Sequence, residues 1–276
     1  MSEPHEPGVS RETTYVLRRG GAGAERLHLL SRVKWPTTQT LLLRVGLKPG
    51  LRCLDVGCGI GEVTLGMAEM VGSEGEAVGV DCAEAFLWEA DHEAKKRRLN
   101  ARFRQVDAAD LPDENAYDLV FARYLLTHLK DPVKGLAAMV RAARPGGLVV
   151  AEDIDFPGHV CHPPCAAFTR YLELYQAAVH HKGGDPCIGP RLPLLFLDAG
   201  LTDVQADIAQ PTFLSGEGKT VASVTLEHIR EPLVAAGLAT DAEVRAVLAE
   251  LVEHERNPRT VISIARTFQV WGRKPA

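Results

Sequence analysis

The chain has 276 residues, 46% of them hydrophobic and 24% charged, with a formal net charge of −5. That length buries most of its apolar surface without covalent staples, and the acidic balance provides no basic field for nucleic acid. No apolar run approaches the length of a bilayer span, so the expected partner is a small molecule rather than DNA, RNA or a membrane.

Six cysteines, at 53, 58, 82, 161, 165 and 187, sit in a chain too large to need disulfides and read as reduced thiols. Residues 1–12 are polar, with Pro4 and Pro7 and no apolar h-region, so a cytoplasmic location is expected. From Glu25 to Val45, Leu27, Leu30, Val33, Leu41, Leu42 and Val45 recur at helical spacing. One or two helices are predicted there, with Pro36 breaking or restarting the run. Strands follow near 52–56, 76–81, 102–106, 117–122 and 147–153, alternating with helices near 60–71, 83–98 and 131–143. This alternation predicts an α/β fold, a Rossmann-like, mostly parallel sheet with helices on both faces.

The turn after the first strand carries Asp55-x-Gly57-x-Gly59-x-Gly61 and opens directly into a helix. Glycines there let the backbone turn tightly and let a ligand approach without a Cβ in the way. A dinucleotide fingerprint needs glycine where Glu62 stands, and a phosphate-binding Walker loop needs a Gly-Lys-Ser/Thr ending that is absent. The second strand ends in Asp81, a carboxylate placed to accept two ribose hydroxyls. The third passes into Asp107-Ala108, and the fourth, Tyr117-Asp118-Leu119-Val120-Phe121-Ala122, ends in Arg123.

Four such features in this order resemble the class I S-adenosylmethionine-dependent methyltransferases, in the small-molecule branch. The resemblance implies seven strands, the last two being Thr202–Gln210 and Val261–Gly272, with a helix at Pro193–Ala199 before them. It implies S-adenosylmethionine as cofactor, with Asp55, Gly57, Gly59 and Gly61 at the methionine and ribose side and Asp81 on the ribose. Asp107 and Ala108 take the adenine, and Arg123 lies near the methionine amine. Cys58 and Cys82, beside these positions, join the set. Tyr15 and Arg32 are candidates for the methionine end, Arg32 for its carboxylate. His128, after the fourth strand, is expected beside the cofactor.

The segments implied are an N-terminal helical segment at 1–48 closing over the cofactor, and a core at 49–155. A cap insertion follows at 156–190, a core helix and strand at 191–212, a second cap insertion at 213–259, and the last strand at 260–276. The insertions contain predicted helices near Cys165–His181, Gly218–Gly237 and Asp241–His254, suited to a cap or to a homodimer interface. The candidate catalytic groups are His128, Asp153 at the tip of the fifth strand, and His180. His159, Cys161, His162 and Cys165 are dense in ligand types, but Pro163-Pro164 is no zinc-knuckle turn, and no metal is expected. The expected activity is methyl transfer to an O, N or C atom of a small metabolite. Two alternatives stand beside it: an S-adenosylmethionine-binding cyclase or decarboxylase, and an NAD-dependent oxidoreductase.

Overall fold

The structure, a computed structural model, describes residues 21–276, with side chains from Glu25. Its centre is a seven-stranded sheet in the order β3-β2-β1-β4-β5-β10-β7. Here β1 is Arg52–Val56, β2 Glu76–Asp81, β3 Ala101–Gln105, β4 Tyr117–Arg123, β5 Ala143–Asp155, β7 Thr202–Ala209 and β10 Arg266–Arg273. Strands β1 to β5 are parallel, and β10 runs antiparallel between β5 and β7. The order reverses between β1 and β4, the crevice where open α/β sheets bind ligands.

Both faces of the sheet are covered, which is why the central strands read as continuous apolar runs. On one face Leu54, Val120 and Val149 meet Leu136 and Met139 of α4 (Pro132–Ala142) and Phe196 of α6 (Leu192–Asp198). On the other, Cys53, Phe121 and Val150 meet Met67 of α2 (Glu62–Val71) and Leu41 and Leu42 of α1 (Gly21–Arg44). Helix α3 (Glu84–Arg97) packs beside β3. A third cluster lies off the sheet, where α5 (Ala166–His181), α7 (Val221–Ala235) and α8 (Asp241–Arg256) share Phe168, Tyr171, Leu226, Ile229 and Leu251.

Two expectations are corrected. Pro36 neither breaks nor restarts the first helix, which runs unbroken through it. An interior proline costs about 3 kcal/mol, but α1 is tied to the fold on both sides of it. Lys34 is fully buried and donates to Thr267 Oγ1 (3.0 Å), the Trp35 ring fills the space over Gly66, and Leu41 and Leu42 are buried. The predicted strand Val261–Gly272 is two strands, β9 (Val261–Ser263) and β10, interrupted at Ile264-Ala265. β9 leaves the main sheet for a small antiparallel one between β6 (Cys161–His162) and β8 (Thr212–Phe213). Among the described residues no helix is long and apolar enough to cross a membrane.

Candidate active site

The turn after β1 is held mainly by its own neighbours. The N–H groups of Gly57 and Cys58 donate to Val80 O (2.8 and 3.0 Å), and that of Gly61 donates to Cys58 O (2.9 Å). Gly57 and Gly61 have φ of +74° and +79°, in the left-handed region that favours glycine. A Cβ on Gly57 would lie 2.8 Å from Leu125 Cδ1, and one on Gly61 2.6 Å from Ala90 Cβ. Gly59 faces the other way: a Cβ there would meet only Leu27, at 3.9 Å. The turn therefore seats closely against Leu125, in the loop after β4, and α3 on one side and is open on the other.

Over that open side lies a cavity of about 500 Å³, within the range of sites for small organic ligands. Its walls bring together Asp55, Gly57, Cys58, Gly59, Asp81, Cys82, Asp107, Ala108, Arg123 and His128 from the sequence-predicted set. Asp81 is oriented by two backbone donors, Gly59 N–H to Oδ2 (2.9 Å) and Ala83 N–H to Oδ1 (2.8 Å). Each oxygen keeps acceptor capacity for a hydroxyl. Asp107 caps a short turn by accepting from Ala109 N–H (2.9 Å). Asp55 is buried against Thr64, whose hydroxyl donates to Oδ2 (2.7 Å). Burial pushes its pKa up to about 6, with Thr64 and Arg123 pulling the other way. Arg123 is anchored to α1 through Thr38 Oγ1 (3.1 Å) and Ser31 Oγ (3.2 Å).

The catalytic candidates divide. His128 lines the cavity, and burial, reinforced by the charge of Arg26, lowers its pKa to about 3, so it is neutral at physiological pH. Asp153 lies behind the wall, not on it. Its oxygens accept from Thr127 N–H (3.0 Å) and Ile154 N–H (2.9 Å), which braces the turn that presents His128. Burial raises its pKa to about 7. His180 sits exposed in the last turn of α5 and does not line the cavity. The neighbours of Asp153 are also engaged internally, Glu152 with Thr38 (2.5 Å) and Gln269 (2.7 Å), and Asp155 with Arg266 (2.8 Å). The acidic tip of the fifth strand, which carries the candidate Asp153, is thus a set of buried ties.

Arg32 is not at the cavity. It is exposed and grips Glu217 with Nε and Nη2 (3.1 and 2.7 Å). The face of α1 that meets the cavity carries Arg26, Leu27, Leu30 and Ser31. Tyr15 lies outside the described residues.

Beyond His128 the cavity continues into a chamber walled in part by the 156–190 segment, whose aromatic residues are not in the sequence-predicted set. Phe156 stacks on Tyr175 (centroids 3.8 Å apart) and meets His159 (4.6 Å) and Tyr171 (5.7 Å) edge-on. His159 Nδ1–H donates to Phe156 O (2.6 Å), and burial lowers its pKa to about 4. Tyr124, a non-glycine residue at φ 55°, lines the cavity, with its hydroxyl bonded to Thr267 Oγ1 (3.0 Å). Strained backbone of this kind persists where surroundings fix it, often at sites. Tyr171 and Tyr175, four residues apart on α5, are a signal in the sequence that marks this wall. Among the described residues no group of three or more His, Cys, Asp or Glu is arranged to hold a metal ion. Cys161 instead contacts His254 Nε2 (3.3 Å).

A family model described as a methyltransferase domain matches residues 47–185. The chain belongs to the class I S-adenosylmethionine-dependent methyltransferases. This methyltransferase is 32% identical over 171 residues to an uncharacterized methyltransferase of Schizosaccharomyces pombe, covering 59% of this chain and 60% of the relative. It is 34% identical over 114 residues to the demethylmenaquinone methyltransferase of Staphylococcus aureus, covering 41% of this chain and 47% of the relative. The chain thus spans about half the length of these curated relatives. In fold it is similar to phosphoethanolamine N-methyltransferase 2 of Haemonchus contortus in complex with S-adenosylmethionine. That match has a TM-score of 0.56 at 17% identity and covers 90% of this chain and 56% of the other.

The cofactor of this enzyme is S-adenosylmethionine, and the residues present fit it. The open side of Gly59, the oriented Asp81 carboxylate and the neutral, buried His128 line one continuous space.

Proposed function

We propose that this methyltransferase acts in the cytoplasm on a small-molecule acceptor with a largely apolar body. The observation that carries the reading is the single cavity that runs from the Gly57–Gly61 turn into the aromatic chamber of Phe156, Tyr171 and Tyr175. In this reading Asp81 accepts the ribose hydroxyls, with Cys82 beside it, and Asp107 with Ala108 borders the adenine. Asp55, Gly57, Cys58, Gly59 and Arg123 surround the methionine side, while Gly61, expected with them, is off the cavity wall and packs toward Ala90 and Phe103. The bound cofactor supplies a methyl group on a sulfonium, open to in-line attack.

The work of the chain is then to position the acceptor and keep water out. Segments 156–190 and 213–259 act as the cap. They contribute α5 and α7 to the chamber, while α1 closes it through Leu27 and Leu30. His128, braced through Asp153, sits where the two halves meet and holds a neutral imidazole toward the acceptor. The relatives named demethylmenaquinone methyltransferases support ring-bearing apolar acceptors as the class to screen first. The six free cysteines suit a reducing compartment.

Calorimetric titration with S-adenosylhomocysteine and NADH, followed by mass analysis with candidate acceptors, tests the reading. Binding of the first ligand and a product heavier by one methyl group are expected. NADH binding, or an acceptor converted without gain of a methyl, would overturn it.

A further inference from the structure

The chamber contains one charge that the cofactor reading does not use. Arg26 is only 7% exposed and lines the cavity, and among the described residues its hydrogen bond runs from Nε to the neutral Thr225 Oγ1 (3.1 Å). Among the described residues no carboxylate pairs with it. Its charge acts instead on His128 and on the buried Tyr171 hydroxyl, which also interacts with Thr225. The acids on the cavity wall, Asp55, Glu62, Asp81, Asp107 and Asp131, all belong to the cofactor half. The described residues that line the acceptor half include no Asp or Glu.

A buried guanidinium facing an apolar chamber, with no counter-charge among the described residues, is costly, and a ligand anion relieves that cost. Its planar fork matches a carboxylate or an ionised hydroxyl, and the fixed Nε bond to Thr225 leaves the Nη donors to make that contact. The surrounding walls, Phe156, Tyr175 and Ile264, suit a flat apolar body.

We propose that the acceptor carries an anionic oxygen on a flat apolar body, and that Arg26 is the residue that holds it. The proposal rests on the reading of this chamber as the acceptor site. The two histidines agree with it: at about 3 and about 4, His128 and His159 are weak bases, and an acceptor that arrives ionised needs none.

The test titrates three probes into the protein, with and without S-adenosylhomocysteine: naphthoate, a nitronaphtholate ionised at neutral pH, and uncharged naphthalenemethanol. Wild-type protein is expected to bind at least one of the anions about ten-fold tighter than the alcohol, and which anion wins separates carboxylate from ionised hydroxyl. Arg26→Gln should erase that preference, and Arg26→Lys should keep part of it, with melting curves verifying that both variants fold. Equal binding of all three probes, no binding of any, or a preference that survives in Arg26→Gln would overturn the proposal. So would an Arg26→Gln variant that loses affinity for S-adenosylhomocysteine but not for methylthioadenosine, since Arg26 would then hold the cofactor's own carboxylate. Failure of wild-type protein to bind S-adenosylhomocysteine would instead sink the methyltransferase reading, because the probe preference is scored independently.

Discussion

Replacing Asp81 with alanine removes the acceptors assigned to the ribose hydroxyls. In the structure one lone pair on each carboxylate oxygen is committed to a backbone donor, Gly59 N–H at 2.9 Å and Ala83 N–H at 2.8 Å. Those bonds fix the carboxylate plane and leave one acceptor position per oxygen for a vicinal diol. A hydrogen bond to a charged group contributes about 1.5–3 kcal/mol net. Two of them lost, with water entering the gap, give about 3 kcal/mol at the low end, which is roughly a hundred-fold in affinity. Calorimetry with S-adenosylhomocysteine reads this directly. Methylthioadenosine, which keeps the ribose but lacks the amino-acid end, should lose the same factor. Asp81→Asn, which preserves one acceptor, should fall between. An affinity unchanged by Asp81→Ala, or a loss confined to S-adenosylhomocysteine, would refute the ribose assignment.

Three further perturbations probe the frame around the site. Glu152→Ala should lower stability by about 3 kcal/mol, because it strips buried Thr38 and Gln269 of their acceptor and leaves buried Lys34 without an opposing charge; a urea midpoint that barely moves would contradict this. Gly61→Ala should cost about 1–3 kcal/mol, since φ is +79° and its Cβ would fall 2.6 Å from Ala90 Cβ, and unchanged unfolding would speak against that packing. The third is a pH effect. Burial raises Asp153 to about 7 in the folded state, against about 3.9 unfolded. The folded state therefore binds the extra proton, and this contribution to stability is present below about pH 4 and is lost as pH rises to 7. The buried histidines His128 and His159, lowered to about 3 and about 4, act in the opposite sense up to their unfolded value. Asp153→Asn removes only the first effect, so the stability of the variant relative to wild type should rise between pH 5 and pH 8. A constant offset across that range would show that Asp153 does not titrate as described.

The side of the cavity around the Gly57–Gly61 turn was legible in the sequence because it is local. Each of its groups stands at the end of a strand or in the turn just after it, and buried parallel strands announce themselves as short apolar runs. The aromatic chamber is assembled from α1, the 156–175 stretch, α7 and the Ile264-Ala265 break, which only tertiary packing brings together. Helix phase decided the fate of two arginines on α1. Arg26 and Arg32 are six residues apart, so they point in different directions, and the burial of Leu41 and Leu42 selects which one faces the cavity. The same limit applies to Asp153 and Glu152. Their position at a strand tip was readable, but whether a tip carboxylate faces a ligand or a buried donor depends on Thr127, Thr38 and Gln269, all distant in sequence. The break at Ile264-Ala265 carries no glycine or proline to mark it. It exists because β9 finds partners in the two-residue strands β6 and β8, too short to leave a periodic signal.

The most direct test of the central claim is to incubate the protein with S-adenosylmethionine bearing an isotopically labelled methyl group and a fractionated cell extract, then to follow the label by mass spectrometry. The account predicts label in a small apolar molecule, formed by wild-type protein and lost in Asp81→Ala. Label found only in the protein or nucleic-acid fraction, or no transfer by protein that binds S-adenosylhomocysteine, would contradict it.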